Sequence, residues 1–161
     1  MIEKNGYSIH ETCIIETEKI GCGTKIWAFS HISHGVIIGK NCTIGERVYI
    51  GPHVTIGDNV KIQNNCLIYE GVDIEDRVFL GPSVVTTNDI YPRASKEWKH
   101  RFKKTLFKRG SSVGANSTII CGNIVGENSL VGAGSVVTKN IKSGTLVCGN
   151  PARYIRELDE K

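Results

Sequence analysis

An isoleucine returns every sixth residue from Ile20 through Ile26, Ile32, Ile38, Ile44, Ile50, Ile56, Ile62 and Ile68 to Ile74, and Leu80 continues the beat. Gly39, Gly45, Gly51 and Gly57 follow four of these residues with the same period. Six is neither the 3.6-residue period of a helix nor the simple alternation of a strand. A repeat of fixed spacing sets the architecture before local propensity does. Each unit reads as an aliphatic residue, often Gly, two turn-prone residues, a small or β-branched residue, and one outward residue. Cys42, Val48, Val54, Val60, Cys66, Val78 and Ser117 hold the small position. A short strand presents the inward and outward residues on opposite faces, and Gly or Asn supplies the corner. Three strands and three corners make one triangular coil of about eighteen residues, and coils stack about 4.8 Å apart through backbone hydrogen bonds.

The beat fails after Val85 and resumes in a shifted frame at Val113, Ile119, Val125, Val131 and Val137. The predicted fold is all-β, a parallel β-helix forming one domain over residues 1–161. One loop is inserted at about 86–112, and a short cap covers 143–161. Within that cap, IRELDEK is read as a helical turn after the Gly149-Asn150-Pro151 break.

The 161 residues suit one domain, and the repeats fill most of them. No early basic-then-apolar leader and no apolar run of about 20 residues is present, so a cytoplasmic protein without membrane insertion is expected. The six cysteines form no CxxC pair, and Cys42 and Cys66 fall on inward positions, so reduced, packed thiols are expected. Residues 93–109 hold eight Lys or Arg and one Glu; elsewhere twelve basic residues face fifteen acidic ones. The net charge of +4 therefore belongs to the inserted loop. A basic loop suits a phosphate, diphosphate or carboxylate partner. Nucleic acid is not expected, because the flanking coils are not basic.

Residues eighteen apart fall at one corner, which predicts a column of His34, Pro52, Glu70 and Asn88 beside the loop. Gln63 takes a place usually held by Gly in the run KIQNN, with Asn64 and Asn65 after it. His31 follows the aromatic pair Trp27 and Phe29. His31 and His34 are the closest histidines, and no third stacks on them, so no metal is expected. No Ser or Cys has a His and a carboxylate at recognisable spacing for nucleophilic catalysis.

The chain resembles the sugar-nucleotide N-acetyltransferases of the hexapeptide-repeat superfamily. The resemblance is carried by IWAFSHI (26–32), KIQNN (61–65), GPSVVTTND (81–89), YPR (91–93), KRGSSVGANSTI (108–119), VGAGSVVTK (131–139) and GNPAR (149–153). It implies a left-handed β-helix and a homotrimer with sites between subunits. It also implies acetyl-CoA as co-substrate and a UDP- or dTDP-linked 3-amino sugar as acceptor. By motif, Asn88 contacts the sugar amine, with His31 as a second catalytic candidate. Gln63, Asn64 and Glu70 line the sugar pocket. Arg93, Lys108 and Arg109 meet phosphates or a sugar carboxylate. Ala115, Gly132 and Ala133 hold the pantetheine arm through their backbone, and Lys139 and Arg153 face the CoA phosphates. The sequence has TTND before YPR, where the glucuronate-type enzymes more often carry FTN.

An amine beside electron-withdrawing oxygens has a pKa no higher than about 8, so a useful fraction is neutral near pH 7. Such an acceptor needs little general base. A sugar or serine hydroxyl would need a strong one, and no convincing His–carboxylate pair is evident for that O-acetyltransferase alternative. A non-catalytic scaffold, the other alternative, would not need a basic loop at the repeat break.

Overall fold

The computed structural model describes residues 1–95 and 102–159. Its described elements are all β-strands, most only two residues long. Face A runs through Lys25–Ile26, Thr43–Ile44, Lys61–Ile62, Phe79–Leu80, Ser112–Val113, Leu130–Val131 and Thr145–Cys148, all parallel. Face B stacks Ile14–Ile15, His31–Ile32, Tyr49–Ile50, Leu67–Ile68, Val85–Thr86, Thr118–Ile119 and Val136–Val137. Face C stacks Ile37–Ile38, Thr55–Ile56, Val72–Ile74, Thr105–Phe107 and Ile124–Val125. Most strands pair with the one eighteen residues on, for instance His31 with Tyr49 and Tyr49 with Leu67. The hexad beat therefore builds a parallel β-helix, as the sequence predicts.

The core is the inner lining of this triangle. Ile26, Ile44, Ile62, Ile32, Ile50 and Ile68 are fully buried. The small position is equally buried, and its polar atoms work on the corners. Ser30 Oγ donates to the Gly45 carbonyl at 2.7 Å, Cys42 Sγ to Gly57 at 3.1 Å, Cys66 Sγ to Gly81 at 3.1 Å, and Ser117 Oγ to Gly132 at 3.1 Å. Each ties one coil to the next. Gly39 is required for contact: a Cβ there would lie 2.5 Å from the Gly57 carbonyl oxygen.

Burial pushes the Cys66 thiol up to about 11 and raises that of Cys42 as well. Thiolate is the reactive form, so both are inert when folded. In native protein at pH 8, Cys22 is expected to react first with a thiol reagent, and Cys42, Cys66 and Cys121 only after denaturation. Rapid native labelling of any of those three would contradict the packing.

Two features differ from the sequence reading. The excursion is shorter than 86–112. Thr86 is a buried strand residue, and Thr105–Phe107 already pairs with Val72–Ile74. Phe107 fills the aliphatic position and is fully buried, so the beat resumes six residues before Val113. Across the excursion the register steps by 33 instead of 18, as in Val85 with Thr118, an excess of 15 residues. The second difference is the C-terminal cap. The residues read as a helical turn contribute to a strand, Arg153–Glu157, antiparallel to Thr145–Cys148. Tyr154 and Ile155 favour extended backbone. This strand ends face A, as the antiparallel Ile2–Lys4 does at the other end, and its charges blunt an otherwise open edge.

Candidate active site

The three corners sort the candidate residues. Corner AB, between faces A and B, carries Gln63, Asn64, Ala115, Gly132 and Ala133. Corner BC carries His34, Glu70, Asn88 and Lys139, with the excursion leaving just after Asn88. Corner CA carries Lys108 and Arg109. No single triangle brings the three sets together. Within one chain, corners AB and BC lie at opposite edges of face B.

Corner AB is bonded from coil to coil. Asn64 Oδ1 accepts the Glu46 N–H at 3.0 Å, so the Asn64 side chain serves partly as a corner brace. Asp58 and Asp76 brace the Lys40 and Asp58 N–H groups of corner CA in the same way, at 2.7 and 2.9 Å. Ala115 occupies the equivalent place in its coil. The residue stacked on it, Ala133, has no side-chain acceptor, and the Ala115 N–H has no hydrogen-bond partner among the described residues. Gly134 N–H donates to the Ala115 carbonyl at 2.8 Å and locks the two coils in register. Small residues thus leave a bare stretch of backbone where the pantetheine arm is expected.

Corner BC holds His34, Glu70 and Asn88. The Asn88 carbonyl accepts the Lys103 N–H at 3.0 Å, which closes the base of the excursion. Thr87 Oγ1 accepts the Cys121 N–H at 2.9 Å just before it. Asn88 is therefore fixed through its backbone with its side chain half-buried. The expected His34–Pro52–Glu70–Asn88 column is modified below Glu70. The His34 ring packs edge-on against His53, with centroids 5.2 Å apart, because Gly35 leaves room for the His53 ring. His53 in turn lines one groove with Glu70, Asp73, Phe102 and Lys104.

The structure contains a His–carboxylate pair, Glu16 with His31, where none was evident in the sequence. Glu16 Oε1 lies 3.3 Å from His31 Nε2, and Glu16 Oε2 accepts the His34 N–H at 3.0 Å. These contacts, the His31 bond foremost, hold the Glu16 carboxyl below its ordinary range. His31 also packs against Tyr49, with centroids 5.6 Å apart. Glu16 stands eighteen residues before His34, so coil spacing could have found it, but it precedes the first clear isoleucine of the beat.

The remaining cations divide. Arg109 is engaged on corner CA: its N–H donates to Glu75 at 2.8 Å and its guanidinium reaches Asp76 at 3.4 Å. Lys108 is its neighbour there. Arg93 is exposed on the excursion and bonds its own chain at Pro92. Lys96, Lys99 and Arg101 of the basic run lie outside the described residues. Lys139 and Arg153 line one groove of about 380 Å³ together with Lys142. A larger hollow of about 700 Å³, between Arg77, Glu127, Asn128 and Asp159, holds none of the candidates.

Comparison with known proteins gives a consistent picture. The model of the bacterial transferase hexapeptide (six repeats) matches residues 19–52 and 53–88, and that of the hexapeptide repeat of succinyl-transferase matches 110–139. The chain is 52% identical over 156 residues to a dTDP-3-amino-3,6-dideoxy-alpha-D-galactopyranose 3-N-acetyltransferase of Aneurinibacillus thermoaerophilus, covering 95% of this chain and 81% of that one. A maltose O-acetyltransferase from Clostridium difficile 630 superposes with a TM-score of 0.68 at 25% identity, over 79% of this chain and 71% of that one. A hexapeptide-repeat acetyltransferase from Vibrio cholerae O1 biovar eltor, complexed with acetyl coenzyme A, superposes with a TM-score of 0.60 at 27% identity, over 79% and 73% of the two chains.

Proposed function

The chain belongs to the bacterial hexapeptide-repeat transferases, and from that premise we propose that it moves the acetyl group of acetyl-CoA onto the 3-amino group of a dTDP-linked amino sugar. The observation that carries this reading is the 52% identity, over nearly the whole chain, to an enzyme of that activity. It favours the dTDP-3-amino-6-deoxyhexose branch over the UDP-glucuronate branch. The TTND departure at residues 86–89 agrees. The reading places the enzyme in the cytoplasm, where acetyl-CoA is made.

The amine nitrogen attacks the thioester carbon, the C–S bond breaks as the tetrahedral intermediate collapses, and CoA leaves as thiolate. The nitrogen loses one proton, which the departing thiolate can take. Asn88 accepts a hydrogen bond from the amine and aims its lone pair at the thioester. The uncapped backbone N–H groups of corner AB hold the arm and can meet the developing oxyanion. Lys139 and Arg153 face the CoA phosphates at the C-terminal end. A homotrimer sets corner AB of one subunit against corner BC of its neighbour, which joins the sets of residues that one chain keeps apart.

Thiol release from acetyl-CoA with a panel of amino-sugar nucleotides tests this. The panel contains a dTDP-3-amino-6-deoxyhexose, its 4-amino counterpart and a UDP-3-amino-glucuronate. The first compound is expected to have the highest kcat/KM, by about ten-fold or more, since the site must match both amine position and carrier. Preference for the 4-amino compound would overturn the regiochemistry.

A further inference from the structure

We propose that Trp27, Phe29 and Arg47 form the seat for the pyrimidine base and diphosphate of the nucleotide sugar. This deepens the proposed reading and rests on it. Trp27 is 42% exposed and Phe29 59% exposed on corner AB. Phe29 sits at φ 60°, in the left-handed region where a bulky side chain is rare. Other coils fill the same corner position with Asn65 at 62° and Asn116 at 58°. Asn meets that backbone demand at lower cost. Local structure thus gains nothing from Phe29, while the surface gains an aromatic face.

The platform is held from behind. Phe29 N–H donates to Thr12 Oγ1 at 2.9 Å, and Arg47 N–H donates to the Ala28 carbonyl at 3.0 Å. The Arg47 guanidinium carbon stands 5.5 Å from the Phe29 ring centroid and, among the described residues, pairs with no carboxylate. A flat aromatic face takes a nucleobase by stacking, and a guanidinium takes phosphate through paired N–H donors. The position also fits. Gln63 and Asn64 lie one coil beyond Arg47 on the same corner, and Ala115 and Ala133 lie further along it. The corner then reads nucleotide, sugar, acetyl arm in order. Of the three cations expected at the phosphates, Arg109 reaches Asp76 on another corner.

Phe29→Asn is the decisive variant, since Asn already serves this position in two coils. Calorimetric titration with dTDP, inorganic pyrophosphate and CoA gives the readout. Phe29→Asn is expected to raise the Kd for dTDP on the order of ten-fold. Its Kd for pyrophosphate and CoA and its melting temperature should not worsen. Arg47→Asn is expected to weaken both dTDP and pyrophosphate. An unchanged dTDP affinity in Phe29→Asn overturns the seat. So does loss of assembly in sedimentation, which would make the aromatic pair a subunit contact. If the wild type acetylates a dTDP-amino sugar and Phe29→Asn keeps its KM, the seat is wrong and the proposed function stands. If the wild type binds no nucleoside diphosphate, both fall.

Discussion

Replacing Asn88 by Ala is expected to lower kcat about 100-fold and to leave the Kd for acetyl-CoA within about two-fold, because in the proposed reaction the lost group positions the amine and not the thioester. The backbone at Asn88 is held without its side chain. Thr87 N–H reaches the Ile119 carbonyl at 3.0 Å, and the Asn88 carbonyl holds Lys103 N–H at 3.0 Å. Truncation therefore removes an orienting acceptor and little else. Asn88→Asp keeps an acceptor in the same place and should retain more activity than Asn88→Ala. The comparison with His31→Ala separates two chemistries. A greater loss in His31→Ala, with activity following one ionisation, would transfer the decisive role to the Glu16–His31 pair and to general-base catalysis. Unchanged turnover in Asn88→Ala would remove Asn88 from the mechanism.

The largest effect on stability is expected from Ile50→Ala, at about 2–5 kcal/mol. Ile50 is fully buried and stacks between Ile32 and Ile68 in the middle of face B. Its carbonyl accepts the Ser33 N–H at 2.9 Å, and Gly51 N–H reaches the Ile68 carbonyl at 2.7 Å. With both neighbouring coils tied in place, the wall cannot collapse into the space the side chain leaves. Ile37→Ala is the control, since Ile37 points outward from face C and is 42% exposed. It should change stability by no more than about 0.5 kcal/mol unless face C is covered. Denaturant midpoints at fixed protomer concentration check both; equal midpoints would contradict the packing.

The β-helix was legible because its signal is periodic and long. Ile26 to Leu80 name the inner wall directly, and the small residues before them name its second layer. The coil holding Phe107 was hidden by chemistry. An aromatic replaces the aliphatic residue, and Lys108 stands where Gly often follows it. That disguise widened the apparent loop. It also obscured that Lys108 and Arg109 stack on Glu75 and Asp76, 33 residues earlier, on a corner away from Asn88. The strand at Arg153–Glu157 was missed because a charged, exposed edge has no inward face to give it period two. The candidate site was legible by corner, since position within an eighteen-residue coil assigns one. Side-chain lean was not: His34 reaches His53, nineteen residues on, only because Gly35 leaves room. In the proposed homotrimer, which corners meet is set by chain–chain packing, which no spacing within one chain encodes.

The most direct measurement is to find the atom that receives the acetyl group. Carbon-13-labelled acetyl-CoA and a dTDP-3-amino-6-deoxyhexose are incubated with the protein, and the product is read by NMR. An amide carbonyl coupled through nitrogen to the sugar H3 is the expected result. A labelled ester on a sugar hydroxyl, with the amine left free, would contradict it and make the Glu16–His31 pair the base of an O-acetyltransferase.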